Sequence, residues 1–376
     1  MYLVTNGRLI TRDPDGKGYY EHGAVAYEGS QIVEVGEEST LRAKYADAEI
    51  IDAKGGVIMP ALINAHTHIY SALARGLSIV GNNPTNFYEV LDGTWWAIDR
   101  HLMMDGTRAS ATALYMDSIK QGVTTIFDHH ASYGEIPGTL HTIAEESKRL
   151  GLRSCLCYEV SDRDGEEKCL QAIQENADFI SECEKNKDPM LAAMFGGHAL
   201  FTISDKTFDR MVEANNGRTG YHIHVSEGMN DVYDSLQNYG RRPVQRLQDH
   251  GILGEKTILG HCIHVNTAEM EIIKETGTMV VNNPESNMGN AIGICPVLQL
   301  HKRGILLGMG TDAYTNDMLE SLKVALCSQR SQNCLPNVGW CEVTDMLFKN
   351  NAKIGEKYFP ATLGVLKAGA AADIIV

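Results

Sequence analysis

The stretch VIMPALINAHTH, residues 57–68, divides the sequence into two unlike parts. It follows a pair of glycines, contains Pro60, and continues as an apolar run that ends in two histidines separated by a threonine. An apolar run bounded by turn-forming residues predicts a buried β-strand. Because alternate side chains of a strand point to the same side, we expect His66 and His68 to face together at its end.

The part that precedes this stretch has the pattern of a small β module. The segments YLVTNGRLIT (2–11) and GAVAYEGSQIVEVG (23–36) alternate apolar and polar residues, and EGSQ within the second is typical of a hairpin turn. The last residues end in IIV, which again predicts a strand. We therefore expect one small β-sandwich-like domain from residues 1–55 and 366–376, with its C-terminal part incomplete.

The part that follows alternates strand and helix patterns. Helical patterns separate the predicted strands, for example at 105–121, 139–150, 166–185, 204–215, 266–276 and 316–331. The predicted strands are 61–68, 123–130, 153–160, 190–197, 221–227, 257–264, 278–283 and 304–312. Eight βα units in order predict an α/β fold, a (β/α)8 TIM-like barrel over residues 56–365. No glycine-rich phosphate fingerprint follows the first strand, which argues against a dinucleotide-binding sheet.

Composition narrows the class of protein. Hydrophobic residues make up 43% and charged residues 22%, as in a soluble globular enzyme, and the net charge of −15 disfavours nucleic acid or an anionic membrane as a partner. Nine cysteines without a CxxC pair favour a reducing compartment. With no signal-peptide pattern at the start, we expect a cytoplasmic protein. Whether it forms a homo-oligomer stays open.

Polar side chains that can bind a metal follow several of the predicted strands. His66 and His68 end the first strand, His224 lies near the end of the fifth, His261 near the end of the sixth, and Asp312 ends the eighth. The active site of such a barrel lies at the carboxyl ends of its strands. Three strand ends that supply imidazoles and a fourth that supplies a carboxylate predict a catalytic metal site for zinc, iron or a similar ion.

Four motifs together resemble those of the amidohydrolase superfamily. The similarity covers essentially the whole chain and is greatest to the branch of triazine, cytosine and guanine aminohydrolases (deaminases), and within it to the SsnA-type aminohydrolases. Two further segments, GHALFTIS (197–204) and NNPESNM (282–288), also resemble that branch. The four motifs are VIMPALINAHTH (57–68), YHIHVSE (221–227), LGHCIH (259–264) and LGMGTDAYTND (307–317).

The resemblance implies a metal centre with four protein ligands. Carried over position by position, the ligands are His66, His68, His224 and Asp312, and Asp312 also accepts a proton from the metal-bound water. Relatives with two metals carry a bridging lysine at the end of strand 3 or 4, and neither segment of this sequence offers one. We therefore expect one divalent metal ion, zinc in the first place and iron as the alternative.

Catalytic and substrate-binding roles are assigned around that centre. The resemblance implies that Glu227 transfers protons as acid and base, that His261 orients the attacking hydroxide or the substrate, and that His198 contacts the substrate. Asn287 follows the seventh strand and could contact the substrate, with an ordinary polar turn as the alternative. Trp95 lies in a long segment after the first strand and could stack on a planar ring, with burial of the loop as the alternative.

The predicted function is that of a metal-dependent hydrolase of non-peptide C–N bonds. We expect deamination of a small nitrogen heterocycle (a purine, pyrimidine or triazine-like ring) by metal-bound hydroxide. The alternatives are another leaving group, as in a chlorohydrolase or cyclic amidase, and a non-catalytic binding or scaffold relative. The remaining strand-end histidines are interpreted as structural: His222 as core filler, His129 and His130 as packing residues, and His264 as a loop residue.

Overall fold

The computed structural model describes all of residues 1–376. It contains fifteen strands, which are β1 (Tyr2–Ile10), β2 (Tyr19–Glu28), β3 (Gln31–Glu37), β4 (Glu49–Asp52), β5 (Val57–Pro60), β6 (Leu62–Thr67), β7 (Val123–His130), β8 (Arg153–Tyr158), β9 (Leu191–Ala193), β10 (Phe195–Ala199), β11 (Tyr221–Val225), β12 (Ile258–His261), β13 (Met279–Asn282), β14 (Leu307–Met309) and β15 (Ile374–Ile375).

Fifteen α-helices connect or cover these strands. They are α1 (Glu38–Lys44), α2 (Phe87–Val90), α3 (Trp96–His101), α4 (Met104–Lys120), α5 (Thr139–Leu150), α6 (Glu166–Asn186), α7 (Asp205–Asn215), α8 (Met229–Tyr239), α9 (Pro243–Asp249), α10 (Thr267–Glu275), α11 (Pro284–Gly289), α12 (Val297–Lys302), α13 (Met318–Asn333), α14 (Trp340–Asp345) and α15 (Asn351–Glu356). None of them is both long and apolar enough to cross a membrane.

Parallel strands in eight positions form the barrel. β6 to β9 are hydrogen-bonded neighbours in order, and so are β10 to β14. β9 and β10 are separated only by Met194 and share the fourth position, where they pair with β8 and β11. Bridges between Val160 and Gly197 and between Thr67 and Asp312 join the two runs at both edges. The (β/α)8 fold that the sequence predicts is therefore confirmed.

The two chain ends build a second sheet beside the barrel. Its strand order is β15-β5-β1-β2-β3, with β4 paired to β1. Val25, Ile32 and Ile58 are buried in it together with Leu366 and Ala370 from the other end of the chain. Because β5 pairs with β1 and β15, the sheet extends past the expected boundary at residue 55. A small domain made from both chain ends remains our proposal, which this pairing supports.

The segment after α15 closes one end of the barrel. Phe359 and Leu363 are buried in one cluster with Phe127 and Met279 of the barrel strands, and Tyr358 donates a hydrogen bond to the carbonyl of Lys256, which precedes β12. This end, where the strands begin, is filled with apolar side chains. Polar groups converge at the opposite end, where the strands finish. The segment between β6 and α4, which contains α2 and α3, partly covers that end.

Candidate metal centre

His68 and His224 present their ring nitrogens to each other at the open end of the barrel. Nδ1 of His68 donates to the carbonyl of His129 at 2.6 Å, and Nδ1 of His224 donates to the carbonyl of His198 at 2.8 Å. The Nε2 atoms, which then keep their lone pairs, lie 3.2 Å apart. Two lone pairs at this distance repel unless a cation lies between them, so the pair is built to bind one.

His66 supplies a third nitrogen to the same place. Its Nδ1 lies 2.8 Å from Nε2 of His222, while its own Nε2 is buried without any hydrogen-bond partner. The donor atoms of His66, His68 and Asp312 all lie within 4.8 Å of one another. An orphaned buried nitrogen beside a carboxylate fits a metal ligand, because a bound ion would satisfy both. His222, expected as core filler, instead holds the ring of His66 in place.

Asp312 makes the centre favourable for positive charge. Its Oδ1 lies 3.2 Å from Nε2 of His68 and accepts a hydrogen bond from the backbone of Ala313 at 2.6 Å. Burial alone would lower the pKa of His68, but the hydrogen bond and charge of Asp312 raise it to about 9. Burial alone would likewise raise the pKa of Asp312, yet contact with His68 holds it well below its usual range. A metal ion would take the place of that proton.

The backbone bends sharply where these strands end. Ser226, His261 and Asp312 have φ angles of 49°, 68° and 57°, and Cys262, directly after His261, has 49°. Residues with a Cβ rarely adopt this left-handed conformation, which costs on the order of 1 kcal/mol for each of them. These four residues follow or end β11, β12 and β14 at their carboxyl ends, beside the residues of the cluster.

Glu227 and His261 lie beside Asp312 as the sequence predicts. Oε1 of Glu227 lies 3.6 Å from Nε2 of His261, and Oδ2 of Asp312 lies 3.5 Å from the same nitrogen. Burial, followed by the negative charge of Asp312, raises the pKa of Glu227 well above its usual value. A carboxyl group with a raised pKa holds its proton to higher pH than an ordinary glutamate does and can donate it to a ligand.

Asn287 differs from its expected role. Its Oδ1 accepts a hydrogen bond from Nδ1 of His261 at 2.7 Å, and its Nδ2 donates to Oδ1 of Asn282 at 3.0 Å. Both ends of the amide are occupied, and the residue lies outside the cavity wall. Asn287 therefore orients His261, since α11 places it behind that ring instead of toward a substrate.

A cavity lies over this cluster and continues into a second one. The first has a volume of about 30 Å³, and the second, of about 180 Å³, shares Trp95 and Asp312 with it and opens toward Arg75. Trp95 and His198, both predicted to contact substrate, line the first cavity. Its wall consists of His68, Tyr70, Phe87, Leu91, Trp95, Glu159, His198, His224, Glu227, Asn290, Asp312 and Ala313.

Sequence reasoning missed Glu159, whereas His129, its hydrogen-bond partner, was expected as a packing residue and packs as expected. Glu159 directly follows β8 and is 2% exposed, with Oε1 accepting a hydrogen bond from Nδ1 of His129 at 2.9 Å. His129 packs against the rings of His222 and His224, with ring centroids 4.8 and 4.5 Å away. Glu159 also lies at the end of a barrel strand, so the rule that selected the histidines applies to it as well. Its hydrogen bond to His129 could not be predicted in this way, because it requires the pairing of β7 with β8.

An eight-stranded parallel barrel with imidazoles and carboxylates converging at its carboxyl end defines the chain as a metal-dependent hydrolase of the barrel type. The model of the amidohydrolase family matches residues 57–376, and that of a bacterial imidazolonepropionase-like composite domain matches residues 23–48. The chain belongs to the amidohydrolase family. The predicted superfamily and enzyme class are thereby confirmed, while the finer similarity to SsnA-type aminohydrolases stays a prediction.

Curated relatives and solved structures agree with this assignment. A 5'-deoxyadenosine deaminase of Methanosarcina mazei is 28% identical over 380 residues, which cover 100% of this chain and 83% of the relative. A 5-methylthioadenosine/S-adenosylhomocysteine deaminase of Thermococcus sibiricus is 30% identical over 355 residues, 93% of this chain and 79% of the relative. An adenosine deaminase structure from Xanthomonas campestris with bound zinc shares the fold, with a TM-score of 0.83, 22% identity, and coverage of 99% and 83%.

Proposed function

We propose that this protein is a metal-dependent aminohydrolase that deaminates a small nitrogen heterocycle. The observation that carries the proposal is the group of Glu227, His261 and Asp312, whose donor atoms lie within 4.8 Å of one another beside the histidine cluster. Hydrolytic deamination needs an activated water and a group that delivers a proton to the ring and to the departing amine. Glu227, His261 and Asp312 can deliver these protons.

One divalent ion, zinc in the first place and iron as the alternative, would be held by His66, His68, His224 and Asp312. The unpartnered Nε2 of His66 and the facing Nε2 atoms of His68 and His224 support this ligand set. A bound divalent ion lowers the pKa of water from about 16 toward 7, which makes a nucleophile available at neutral pH. No lysine lies at the end of the third or fourth strand, in RSCLCYEVSDR (153–163) or MLAAMFGGHAL (190–200), which supports one ion over a bridged pair.

Proton transfer is assigned to two carboxyl groups on either side of His261. Glu227, whose pKa is raised by burial, donates a proton from its carboxyl group to a ring nitrogen as negative charge develops there. Asp312, whose pKa is held low, accepts a proton from the attacking water at a carboxylate oxygen. His261 is fixed by its hydrogen bond to Asn287 and lies where it can orient the water or the adduct.

Aromatic side chains on the cavity wall support a flat ring as the ligand. Tyr70, Phe87 and Trp95 line it on the side of the covering segment, and aromatic side chains of this kind stack on planar ligands. The relatives named as deaminases of 5'-deoxyadenosine and of 5-methylthioadenosine support an amino-substituted purine as the reacting group. Loss of chloride or opening of a cyclic amide is the rival reaction, and a non-catalytic scaffold is the rival class.

The cysteines support a reducing compartment. All nine are unpaired, and Cys155, Cys157, Cys169, Cys262 and Cys295 are buried. Free buried thiols are typical of proteins that stay in the cytoplasm, which is the location we propose.

Metal analysis and ammonia release test the function together. Purified protein is loaded with zinc and offered adenine, adenosine, 5'-deoxyadenosine, guanine, cytosine and aminotriazines. We expect ammonia release from at least one of them by zinc-loaded protein, and none after chelation. Metal-loaded protein that releases chloride or opens cyclic amides, and never releases ammonia, would replace the proposal with the rival reaction.

A further inference from the structure

Glu159 is a buried carboxylate that the proposed reaction does not use. It follows the third barrel strand, whereas Glu227, His261 and Asp312 follow or end the fifth, sixth and eighth strands, so it faces them from the other side of the cavity. One oxygen, Oε1, accepts the hydrogen bond from Nδ1 of His129. The second oxygen, Oε2, accepts no hydrogen bond and lies 3.9 Å from Nε2 of His198.

That nitrogen of His198 is also an acceptor. The hydroxyl of Thr202 donates its hydrogen to the carbonyl of Ala199 at 2.8 Å, so its oxygen accepts the 2.9 Å hydrogen bond from Nδ1 of His198. With its proton on Nδ1, His198 turns a bare Nε2 toward Glu159. Two acceptors on the cavity wall therefore face one another, and no protein donor lies between them.

A ligand group that carries hydrogens would satisfy both acceptors. An amino group, a ring N–H or a hydroxyl placed between Oε2 of Glu159 and Nε2 of His198 could donate to one or both of them. A hydrogen bond to a carboxylate is stronger than one between neutral groups, and it is stronger still in a site that excludes water. A ligand without a donor would leave both acceptors unpaired, which penalises its binding.

We propose that Glu159 and His198 form a donor-binding subsite, through which the protein selects heterocyclic substrates with a hydrogen-bond donor remote from the reacting C–N bond. The proposal rests on the proposed function and specifies its substrate class. The donor belongs either to the ring, as an amino group, or to an attached sugar, as a hydroxyl. Glu159 binds through hydrogen bonds alone, while the proton-transferring groups act on the opposite side.

The same residues could instead be read as ligands of a second metal ion. Donor atoms of His68, His129, Glu159 and His224 lie within 4.8 Å of one another. However, Nδ1 of His129 already contacts Glu159, and its Nε2 lies 2.9 Å from the carbonyl of His222. Both ring nitrogens of His129 already face oxygen atoms of the protein, so neither is directed at a position for a second metal ion. The donor subsite accounts for these contacts without rearrangement.

Two matched ligand pairs test the subsite by calorimetric binding to zinc-loaded protein. Adenine against 2,6-diaminopurine adds a ring amino group, and 2',3'-dideoxyadenosine against adenosine adds hydroxyls. In the wild type we expect at least one donor-bearing member to bind about 10- to 100-fold more tightly than its partner. The pair that shows the difference identifies the source of the donor.

Glu159→Gln keeps the size of the side chain but removes its charge, and its amide can donate to His198 itself. We expect this variant to lose most of that preference, to bind the members that lack the added amino group or hydroxyls within about threefold of the wild type, and to keep its zinc. Glu167→Gln, an exposed change on α6, is the control and should behave as the wild type. Equal weakening for both members of each pair, an unchanged preference, or a loss of zinc would overturn the proposal.

Ammonia release from the same ligands separates this inference from the proposed function. Donor-dependent binding without ammonia release would refute the deaminase and leave the subsite standing. Ammonia release by a wild type that binds both members of each pair equally tightly would refute the subsite and leave the deaminase standing. Failure of the wild type to bind either member of either pair would refute the subsite.

Discussion

Nε2 of His68 and Nε2 of His224 lie 3.2 Å apart, each with its Nδ1 committed to a main-chain carbonyl. The two carbonyls belong to His129 and His198, so the second and fourth barrel positions fix which nitrogen of each ring is free. Hydrogen bonding of this kind sets both the tautomer and the direction of a metal-binding imidazole.

Purified protein should contain about one zinc per chain, and His224→Ala should reduce that content to near zero. Removal of zinc by a chelator should lower the Tm, because an ion whose free concentration is 100 times its Kd stabilises the folded state by about 2.7 kcal/mol. Elemental analysis and thermal unfolding measure both effects. His141→Ala, on an exposed face of α5, is the control. Two ions per chain would contradict the single-metal centre.

Glu227→Gln should lower kcat by about 10²- to 10⁴-fold while zinc content stays at the wild-type value. The amide keeps the volume of the side chain but cannot release a proton to the ring nitrogen. Steady-state ammonia release on the best substrate measures the change. Glu275→Gln, at the exposed end of α10, should leave the rate unchanged. A variant with more than half of the wild-type activity would remove Glu227 from the mechanism.

Asn287→Ala separates the role expected from sequence from the one that the structure gives. If Asn287 orients His261 through the 2.7 Å hydrogen bond, its removal should reduce kcat about 10- to 100-fold at nearly constant KM. A substrate contact would instead appear mainly as a raised KM. Full kinetic curves distinguish these results, and Asn333→Ala at the end of α13 serves as the control.

Asp231 should make stability depend on pH. Burial raises its pKa to about 7 from an ordinary value of 3.8, against the hydrogen bonds that it accepts from the backbones of Ser226 and Phe201. The folded state therefore retains a proton between about pH 4 and pH 7 that the unfolded chain has lost. The contribution of Asp231 to the free energy of unfolding is fully present below about pH 4. It decreases as the pH rises and is lost above about pH 7.

Asp231→Asn lacks the titrating group, so we expect its Tm to fall less between pH 4.5 and pH 7.5 than that of the wild type. The comparison uses the pH slope, because loss of one acceptor shifts the Tm of the variant at every pH. Asp105→Asn, at an exposed position of α4, should keep the wild-type slope. Parallel slopes for all three proteins would show that Asp231 has no raised pKa.

Much of the site follows from local sequence. The barrel predicts that residues at strand ends converge, and the structure brings His66, His68, His224 and Asp312 together there, while their role as metal ligands stays a prediction. The same rule applies to Glu159, which lies near the end of the predicted strand 153–160. It could not show that Asn287 faces His261, because that contact depends on how α11 packs behind β12.

Sequence alone determined the fold class and the residue types at the barrel mouth, because hydrophobic periodicity and strand order are properties of the chain itself. Tertiary structure decided how those residues work. The free nitrogen of His68 is set by a carbonyl 61 positions away, and that of His224 by one 26 positions away. Such pairings arise only when distant strands become neighbours, so no local pattern specifies them. The unpaired oxygen of Glu159 opposite His198 has the same origin.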